Sequence, residues 1–388
     1  MVPDGVRRIR VVYLDHVARL SGGELALLRT LPPLLDRVEA IVVLAEDGPL
    51  AERLRAIGVE VIALPLADDV RDVRRAGAPT AALSPRTLWR LLRYIEATAR
   101  LLRRLDADLV HTNSLKAAIY GGLAGRLARV PVVWHVRDRI ADDYLPRPAV
   151  LLVRLASRLL PTAVVANSQA TLATLRPRRR SAVVASPVVP DSVVPSHGVL
   201  QRGSGGFTVG VVGRLAEWKG QHVFLDAFAQ VFAGSPTRAW LVGSAMFGEE
   251  AYEQRLRDQV VSLGIDEQVD FRGFREDVDA ELAEMDVVVH CSVLPEPFGQ
   301  VVIEAMSAGR PVIASAEGGP AEVVTDGVDG LLVPPRDPAL LAAALRRLFE
   351  DPGLRQRLAV AGRETALGYS PERTAEGLMA VYRQVLGR

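Results

Sequence analysis

Cysteine is almost missing from this chain: Cys291 is the only one in 388 residues. A disulfide framework and a cysteine-rich metal site are thereby excluded, which fits the cytosol. Aromatic residues make up only 5%, so a core must be filled by Val, Leu, Ala and Ile. No run of about 18 apolar residues occurs, because Arg or Pro breaks each apolar stretch. No long apolar segment precedes Arg7, Arg8 and Arg10 as a signal peptide would require. A soluble protein is expected, or at most one peripheral to a membrane. Neither G-x-G-x-x-G nor a Gly-Lys-Ser/Thr Walker loop appears, and no His, Cys, Asp and Glu set has zinc spacing. Aromatic-basic interleaving of the nucleic-acid kind is lacking too.

What is present is ordinary globular material, 49% apolar and 24% charged. The length suits two domains better than one core. The net charge of +1 conceals a division. Residues 1–200 hold 29 Lys and Arg against 19 Asp and Glu, a surplus of ten, and the remainder carries −9. Two oppositely charged halves again suggest two domains.

Strand-like runs at 7–14, 38–44, 59–64, 109–112, 130–135 and 163–166 alternate with helical stretches. That pattern predicts a parallel sheet covered on both faces. A Pro-, Ser- and Gly-rich segment follows at 186–206, and then the pattern restarts. Strands are expected at 207–212, 239–243, 269–274, 287–291, 311–314 and 330–333, with helices from Gly220 to Phe232 and from Asp337 to about Phe349. The expected division is therefore 1–190 as a first Rossmann-like domain, 191–206 as linker, 207–368 as a second such domain, and 369–388 as a returning helix. Ser370-Pro371-Glu372 starts that helix, and Leu378, Val381, Tyr382 and Val385 give it an apolar stripe.

The most informative segment is Glu296-Pro-Phe-Gly-Gln-Val-Val-Ile-Glu304. If Gln300 opens a helix, Glu304 lies one turn on, on the same face. Amides of Phe298, Gly299, Gln300 and Val301 can then meet an anion at a helix N-terminus. Glu296, read as a loop carboxylate without a paired cation, can accept from sugar hydroxyls. Glu304 sits in an apolar turn and needs a partner; a ribose diol offers two donors, and a salt bridge to Arg310 is the rival. Arg214 and Lys219 follow the first strand of the second half, where such sheets bind ligands, and can neutralise a diphosphate. His135 ends Pro-Val-Val-Trp-His, which puts its imidazole at the inner rim of a cleft, with His111 at a similar level. Gly22 and Gly23 permit close approach of a phosphate or sugar, although a plain tight turn would look the same. Cys291 reads as a buried thiol. Asp277-Val-Asp279 has the shape of a divalent-ion motif but stands where Asp would cap a helix, so no metal is expected.

Gly213-Arg-Leu…Lys219-Gly220, Leu241-Val-Gly243, Phe271-Arg-Gly-Phe274, Glu296-x₇-Glu304, Ala308-Gly-x-Pro311, Gly318-Gly-x-x-Glu322 and Gly327-x-x-Gly330 occur in one order across 207–335. Together they resemble the family-4 retaining glycosyltransferases, whose GT-B fold has two Rossmann-like α/β domains facing a cleft and a C-terminal helix strapped to the first. The resemblance implies that Arg214 and Lys219 contact the diphosphate of a nucleoside-diphosphate sugar, with Lys219 stabilising the leaving group. It assigns the ribose to Glu304 and the base to backbone around Gly273 and Phe274. Glu296, with Phe298, Gly299, Gln300 and Val301, would hold the sugar, and His135 would touch it near the reacting centre. Gly22 and Gly23 would approach the donor. It further implies transfer of a hexose-type sugar to a small-molecule, glycan or lipid-linked hydroxyl acceptor, with retention and without metal or other cofactor. A Ser186-Pro-Val-Val189 linker and Trp218 depart from the family pattern.

No carboxylate of the first half stands out as a covalent nucleophile, so front-face attack is the expected chemistry. Another GT-B enzyme such as a 2-epimerase, and a non-catalytic nucleotide-sugar binder, remain as alternatives. Arginines at 86, 90, 93, 100 and 104, with Leu88, Leu91, Ile95, Ala99 and Leu102 facing the other way, make the basic half a candidate for docking on anionic lipid. Arg71, Arg74, Arg75 and the run from Arg176 to Arg180 add to that charge; a solvated basic face is the plainer reading. The expected location is the cytoplasm, free or at the inner membrane face.

Overall fold

Val11, Val12, Tyr13 and Leu14 are all buried although successive side chains of a strand point to opposite faces. A strand of that kind has to lie inside a sheet covered on both sides. The computed structural model describes residues 7–66, 84–177, 180–188, 206–246 and 248–387. The chain divides into two units, Met1–Pro187 with Pro371–Arg388, and Val188–Ser370.

The first unit contains β1 (Ile9–Asp15), β2 (Val38–Leu44), β3 (Glu60–Ala63), β4 (Leu109–Thr112), β5 (Val132–Val136), β6 (Ala163–Ala166) and β7 (Arg180–Val183). They form one parallel sheet in the order β3-β2-β1-β4-β5-β6-β7. Val11 and Tyr13 join Leu27, Leu31, Leu34 and Leu54 on one face; Val12 and Leu14 join Ile95, Leu102, Ala118 and Trp134 on the other. The C-terminal helix Pro371–Leu386 packs Leu378, Met379, Val381 and Tyr382 into the first of these faces, as its apolar stripe requires.

Two features differ from expectation. β7 has no counterpart in the sequence reading, because its first half, Arg180 and Ser181, is polar and continues an arginine run. In the helix Pro85–Arg104, Ile95, Ala99 and Leu102 are buried as expected, but Leu88 is 54% exposed. In the first turn Thr87, not Leu88, takes the inward position, in line with the buried Tyr94 and Thr98 further along the helix. Arg71, Arg74, Arg75, Arg178, Arg179 and residues 191–205 of the expected 191–206 linker lie outside the described residues.

The second unit repeats the plan with β8 (Thr208–Val212), β9 (Arg238–Val242), β10 (Val269–Gly273), β11 (Val287–His290), β12 (Val312–Ser315) and β13 (Leu331–Val333). The parallel order is β10-β9-β8-β11-β12-β13. Its core is built on Phe224, Phe228, Phe232, Leu241, Val289, Ile313 and Leu345. In each sheet the strand order reverses once, between β1 and β4 and between β8 and β11. Crevices for ligands open at such points, beyond the carboxyl ends of the strands.

Candidate active site

In the second unit, the chain leaving β8 and the chain leaving β11 meet at the reversal point. Lys219 Nζ donates to both oxygens of Glu296, at 2.8 and 2.7 Å. His290 Nε2, at the end of β11, donates to Glu296 Oε2 at 2.7 Å, and Ser292 Oγ donates to the same oxygen at 2.9 Å. Burial alone would raise the Glu296 carboxyl; Lys219 and His290 more than offset it and hold the group well below the usual carboxylate range. This corrects the reading of Glu296 as a carboxylate without a paired cation. The reason is tertiary: its cation stands 77 positions away in sequence.

The two basic groups are likewise engaged. Arg214 Nε is 3.1 Å from Glu249 Oε2. The Trp218 ring stacks under both cations, 4.5 Å from Lys219 Nζ and 5.8 Å from the Arg214 guanidinium, so the unusual tryptophan braces the loop by cation–π attraction. A cavity of about 560 Å³ adjoins it, lined by Glu217, Trp218, Glu249, Tyr252, Val293 and Leu294, within the size range of small-molecule sites.

The helix Gln300–Ser307 starts where expected, with Gly299 at φ +77° ahead of it. Gln300 Nε2 donates to Glu304 Oε1 at 2.8 Å, which confirms that the two share a face. Phe274 follows β10 and is strongly exposed, next to Gly273 at φ +68°. Cys291 is a buried thiol, pushed up to about 12 by burial. Asp277 accepts from the Ala280 amide at 3.0 Å as the cap of the helix Val278–Ala283. Asp277→Asn is accordingly expected to cost no more than about 1 kcal/mol, the range of a helix cap, when unfolding is followed in urea.

In the first unit the ends of β1, β4 and β5 meet in the same way. Asn113 Nδ2 donates to Asp15 Oδ2 at 2.7 Å and to the Gly23 carbonyl at 3.2 Å. Arg137 donates to Asn113 Oδ1 at 3.3 Å, to Ser186 Oγ at 2.6 Å and to His135 Nδ1 at 3.3 Å. A Cβ on Gly23 would sit 3.5 Å from the Arg137 side chain. Gly23, Asn113, His135 and Arg137 thus form one cluster, with Gly22 next to Gly23 in the chain. His135 is not at a rim: it is 1% exposed, because Val132–Val136 is a central strand of the sheet.

Glu24 has a place here that its sequence position did not reveal. It is buried, accepts from Ser21 Oγ, and is pushed up to about 7 by burial and then by the charge of Asp15. A carboxyl raised in the folded state binds more protons there than in the unfolded chain, so stability falls as pH rises from about 4.5 to 7. Glu24→Gln is expected to remove that slope and to be more stable than the parent at pH 8 by up to about 3 kcal/mol. Urea midpoints measured at pH 5 and pH 8 check it.

Two family profiles match in tandem: Glycosyltransferase Family 4 over residues 48–191 and Glycosyl transferases group 1 over residues 196–365. The structure of HepE from Anabaena, in complex with UDP and glucose, is similar at TM-score 0.82 and 28% identity, over 97% of this chain and 100% of that one. The chain has the GT-B fold and is related to the glycosyltransferase families of these two profiles. Within that fold it also resembles sucrose-phosphate synthase from Thermosynechococcus elongatus, at TM-score 0.79 and 21% identity over 98% and 100% of the two chains. Among curated relatives, the lipopolysaccharide core glycosyltransferase LpsE of Rhizobium meliloti is 34% identical over 175 residues, 45% of this chain and 48% of that protein. The D-inositol 3-phosphate glycosyltransferase of Frankia alni is 37% identical over 183 residues, 45% of this chain and 44% of its own. The chain thus spans about half the length of the curated relatives it matches.

Sequence reasoning placed Arg137 close behind His135 but missed His290 and Ser292 beside Glu296, and Asp15 and Asn113 in the cluster around Arg137. One signal was available for His290: Val-Val-Val-His290 repeats the pattern of Pro-Val-Val-Trp-His135, a histidine closing an apolar strand.

Proposed function

We propose that this chain is a retaining glycosyltransferase that moves a hexose-type sugar from a nucleoside-diphosphate sugar to a hydroxyl acceptor. The observation that carries the reading is the likeness over the full chain to HepE, which has been seen in complex with UDP-glucose. UDP-glucose is therefore the first donor to test, with GDP-sugars next. In this reading Lys219, set in position by Glu296, and Arg214, set by Glu249, face the diphosphate. Amides from Phe298 to Val301 and the Glu296 backbone hold the sugar. Glu304 takes the ribose, backbone at Gly273 and Phe274 the base, and Gly22 and Gly23 let the first loop approach. The acceptor oxygen bonds to the anomeric carbon as the carbon–phosphate-oxygen bond breaks on the same face. A leaving phosphate oxygen takes the acceptor proton. The protein supplies fixed positive charge, alignment and exclusion of water.

Among the described residues no group of three or more His, Cys, Asp or Glu is arranged to hold a metal ion. Lys219 and Arg214 are proposed to do the electrostatic work, and activity is expected to survive EDTA. Thermal shifts with UDP-, GDP- and ADP-sugars test the donor, since a ligand that binds the native state raises its melting temperature. The anomeric NMR signal of the product tests retention. An inverted product, or no shift with any donor, would overturn the reading.

The proposed place of work is the cytoplasmic face of a membrane. Among the described residues no helix is long and apolar enough to cross one. Three neighbouring helices of the first unit, Pro85–Arg104, Leu115–Ala128 and Arg147–Leu159, are tied by Arg103 to the Leu127 carbonyl and by Arg126 to the Leu159 carbonyl. They expose Leu88, Trp89, Leu92, Leu127, Leu151 and Leu155 among arginines. Apolar tips within a basic field suit an anionic lipid surface, each base adding up to about 1 kcal/mol. Sedimentation with anionic vesicles is expected to carry the protein down at low salt and to release it by about 0.5 M. Equal recovery in the supernatant with anionic and neutral vesicles would remove the docking proposal alone.

A further inference from the structure

β1, β4, β5 and the C-terminal helix each contribute one side chain to a buried line of hydrogen bonds in the first unit. The Tyr13 and Tyr382 hydroxyls are 3.2 Å apart. The Tyr382 hydroxyl is 2.8 Å from His111 Nδ1, and His111 Nε2 is 3.2 Å from His135 Nδ1. Arg137 Nη2 approaches the same His135 Nδ1 at 3.3 Å. All four ring residues are at most 1% exposed.

The direction of every bond in this line follows from its two ends. A guanidinium has donors only, so His135 Nδ1 accepts and carries no hydrogen. A neutral His135 ring then carries its proton on Nε2. His111 Nε2 also faces that bare Nδ1 and must donate to it. Burial, then the charge of Arg137, pushes His111 down to about 3, so its ring holds one proton, the one on Nε2. Its Nδ1 accepts from the Tyr382 hydroxyl, and the Tyr382 oxygen accepts from Tyr13. Two donors sharing one lone pair explains why both contacts to His135 Nδ1 are long.

The far side of His135 is left open. Its Nε2 is buried and has no hydrogen-bond partner among the described residues. Buried donors are nearly always satisfied, so an N–H fixed in this way calls for an acceptor from a ligand.

We propose that Arg137, by donating to His135 Nδ1, and Tyr382, backed by Tyr13 and keeping the His111 proton on Nε2 so that it donates to the same atom, are positioning residues that together lock His135 as a permanent Nε2–H donor to an oxygen of the bound sugar. The identity of that oxygen's owner rests on the proposed function; the locked tautomer does not. His135 then cannot take a proton at Nε2, so its part in transfer is to hold a sugar oxygen and not to act as a base. A donor sugar with hydrogen in place of the contacted hydroxyl would leave the N–H unpaired and be rejected.

Tyr13, Tyr382 and Arg137 face the two histidines, and Arg137 in turn is acted on by Glu24, Asp15 and Asp138. Burial, then Arg137, lowers His135 well below its usual value, and Tyr382 is raised well above its own by burial and then by Tyr13. Between pH 5 and 9 the line should keep its protons while Glu24 changes charge beside it.

Nitrogen-15 spectra of the histidine rings in the full chain test the lock without any substrate. Both His111 and His135 are expected as the neutral Nε2–H tautomer from pH 5 to 9. His135 seen with its proton on Nδ1, or either ring cationic above pH 5, would overturn the proposal. Tyr382→Phe keeps the packing and removes the donor to His111, so the His111 tautomers should mix and kcat should fall about tenfold, as for other residues that orient a working group. Tyr13→Phe leaves Tyr382 able to donate and should change neither spectrum. A Tyr382→Phe protein with parental spectra and kcat would show that Tyr382 only packs. His135→Gln places an amide N–H near the same point and should stay within about tenfold of the parent, while His135→Ala loses about a hundredfold. Equal loss in both would mark His135 as a base and sink the donor role. Expected spectra without a thermal shift from any nucleotide sugar would reject the proposed function and leave the lock standing.

Discussion

Lys219→Ala is expected to lower kcat about a hundredfold, more than it weakens donor binding, because the departing diphosphate is most negative in the transition state. The same change should cost stability. Glu296 is largely buried, and removing one partner of a buried ion pair typically costs about 3–5 kcal/mol. The two effects can be separated. Lys219→Met combined with Glu296→Gln removes both charges and keeps the volume, so stability should largely return while turnover stays low. Urea titration beside steady-state kinetics measures both quantities. If the double variant recovers turnover as well, the charge of Lys219 does no work on the leaving group. The pH dependence supplies a further check. Glu296 is held below its unfolded value, so its contribution is present above about pH 4.3 and is lost as pH falls through the folded value. The stability gap between parent and Lys219→Ala should therefore be widest above pH 5 and close in acid.

Gly318→Ala should be among the most damaging single methyl groups in the second unit. Gly318 lies at φ +71°, and a Cβ there would overlap the Glu296 carbonyl oxygen and stand 2.7 Å from the Glu296 nitrogen. The left-handed conformation costs a side-chain-bearing residue roughly 1–2 kcal/mol, and forcing the backbones apart adds about 1–3 kcal/mol. A loss of about 3 kcal/mol corresponds to roughly 6–12 °C in Tm for a unit of this size. The loop that must yield carries Glu296, which is also tied back by the Gly319 amide at 2.8 Å. The carboxylate should therefore leave Lys219, and stabilisation by added donor should vanish. Gly327→Ala is the control. Gly327 has a similar φ of +72°, but nothing lies within 4 Å of the point where its added methyl group would sit, so only the conformational cost should appear. Equal losses at the two positions would mean that the contact with Glu296 is not what makes Gly318 necessary.

Much of the fold was legible because its strands are short apolar runs bounded by Gly, Pro or charge. Val38–Leu44, Leu109–Thr112 and Ala163–Ala166 stand where the sequence placed them. Arg180–Val183 was missed because half of it is polar and continues an arginine run, so no apolar stretch marks it. The site was legible in its residue types and in local spacing, as with Gln300 and Glu304 one turn apart. Its pairings were not. Lys219 finds Glu296 across 77 positions and Tyr13 finds Tyr382 across 369, and no local pattern encodes which carboxylate a cation will meet. Leu88 shows a different limit: helical spacing names a stripe but not which of two adjacent residues, here Thr87, turns inward.

The helix Pro371–Leu386 belongs to the first unit although the whole of the second precedes it in sequence. Ala375, Leu378, Met379 and Tyr382 complete a face that Tyr13, Leu27 and Leu31 leave open. On the ribosome, Val188–Ser370 can therefore finish folding while the earlier-made sheet still waits for its last wall. Birth order and completion order are reversed, and the interval between them is when the uncovered face of β1 is most in need of a chaperone.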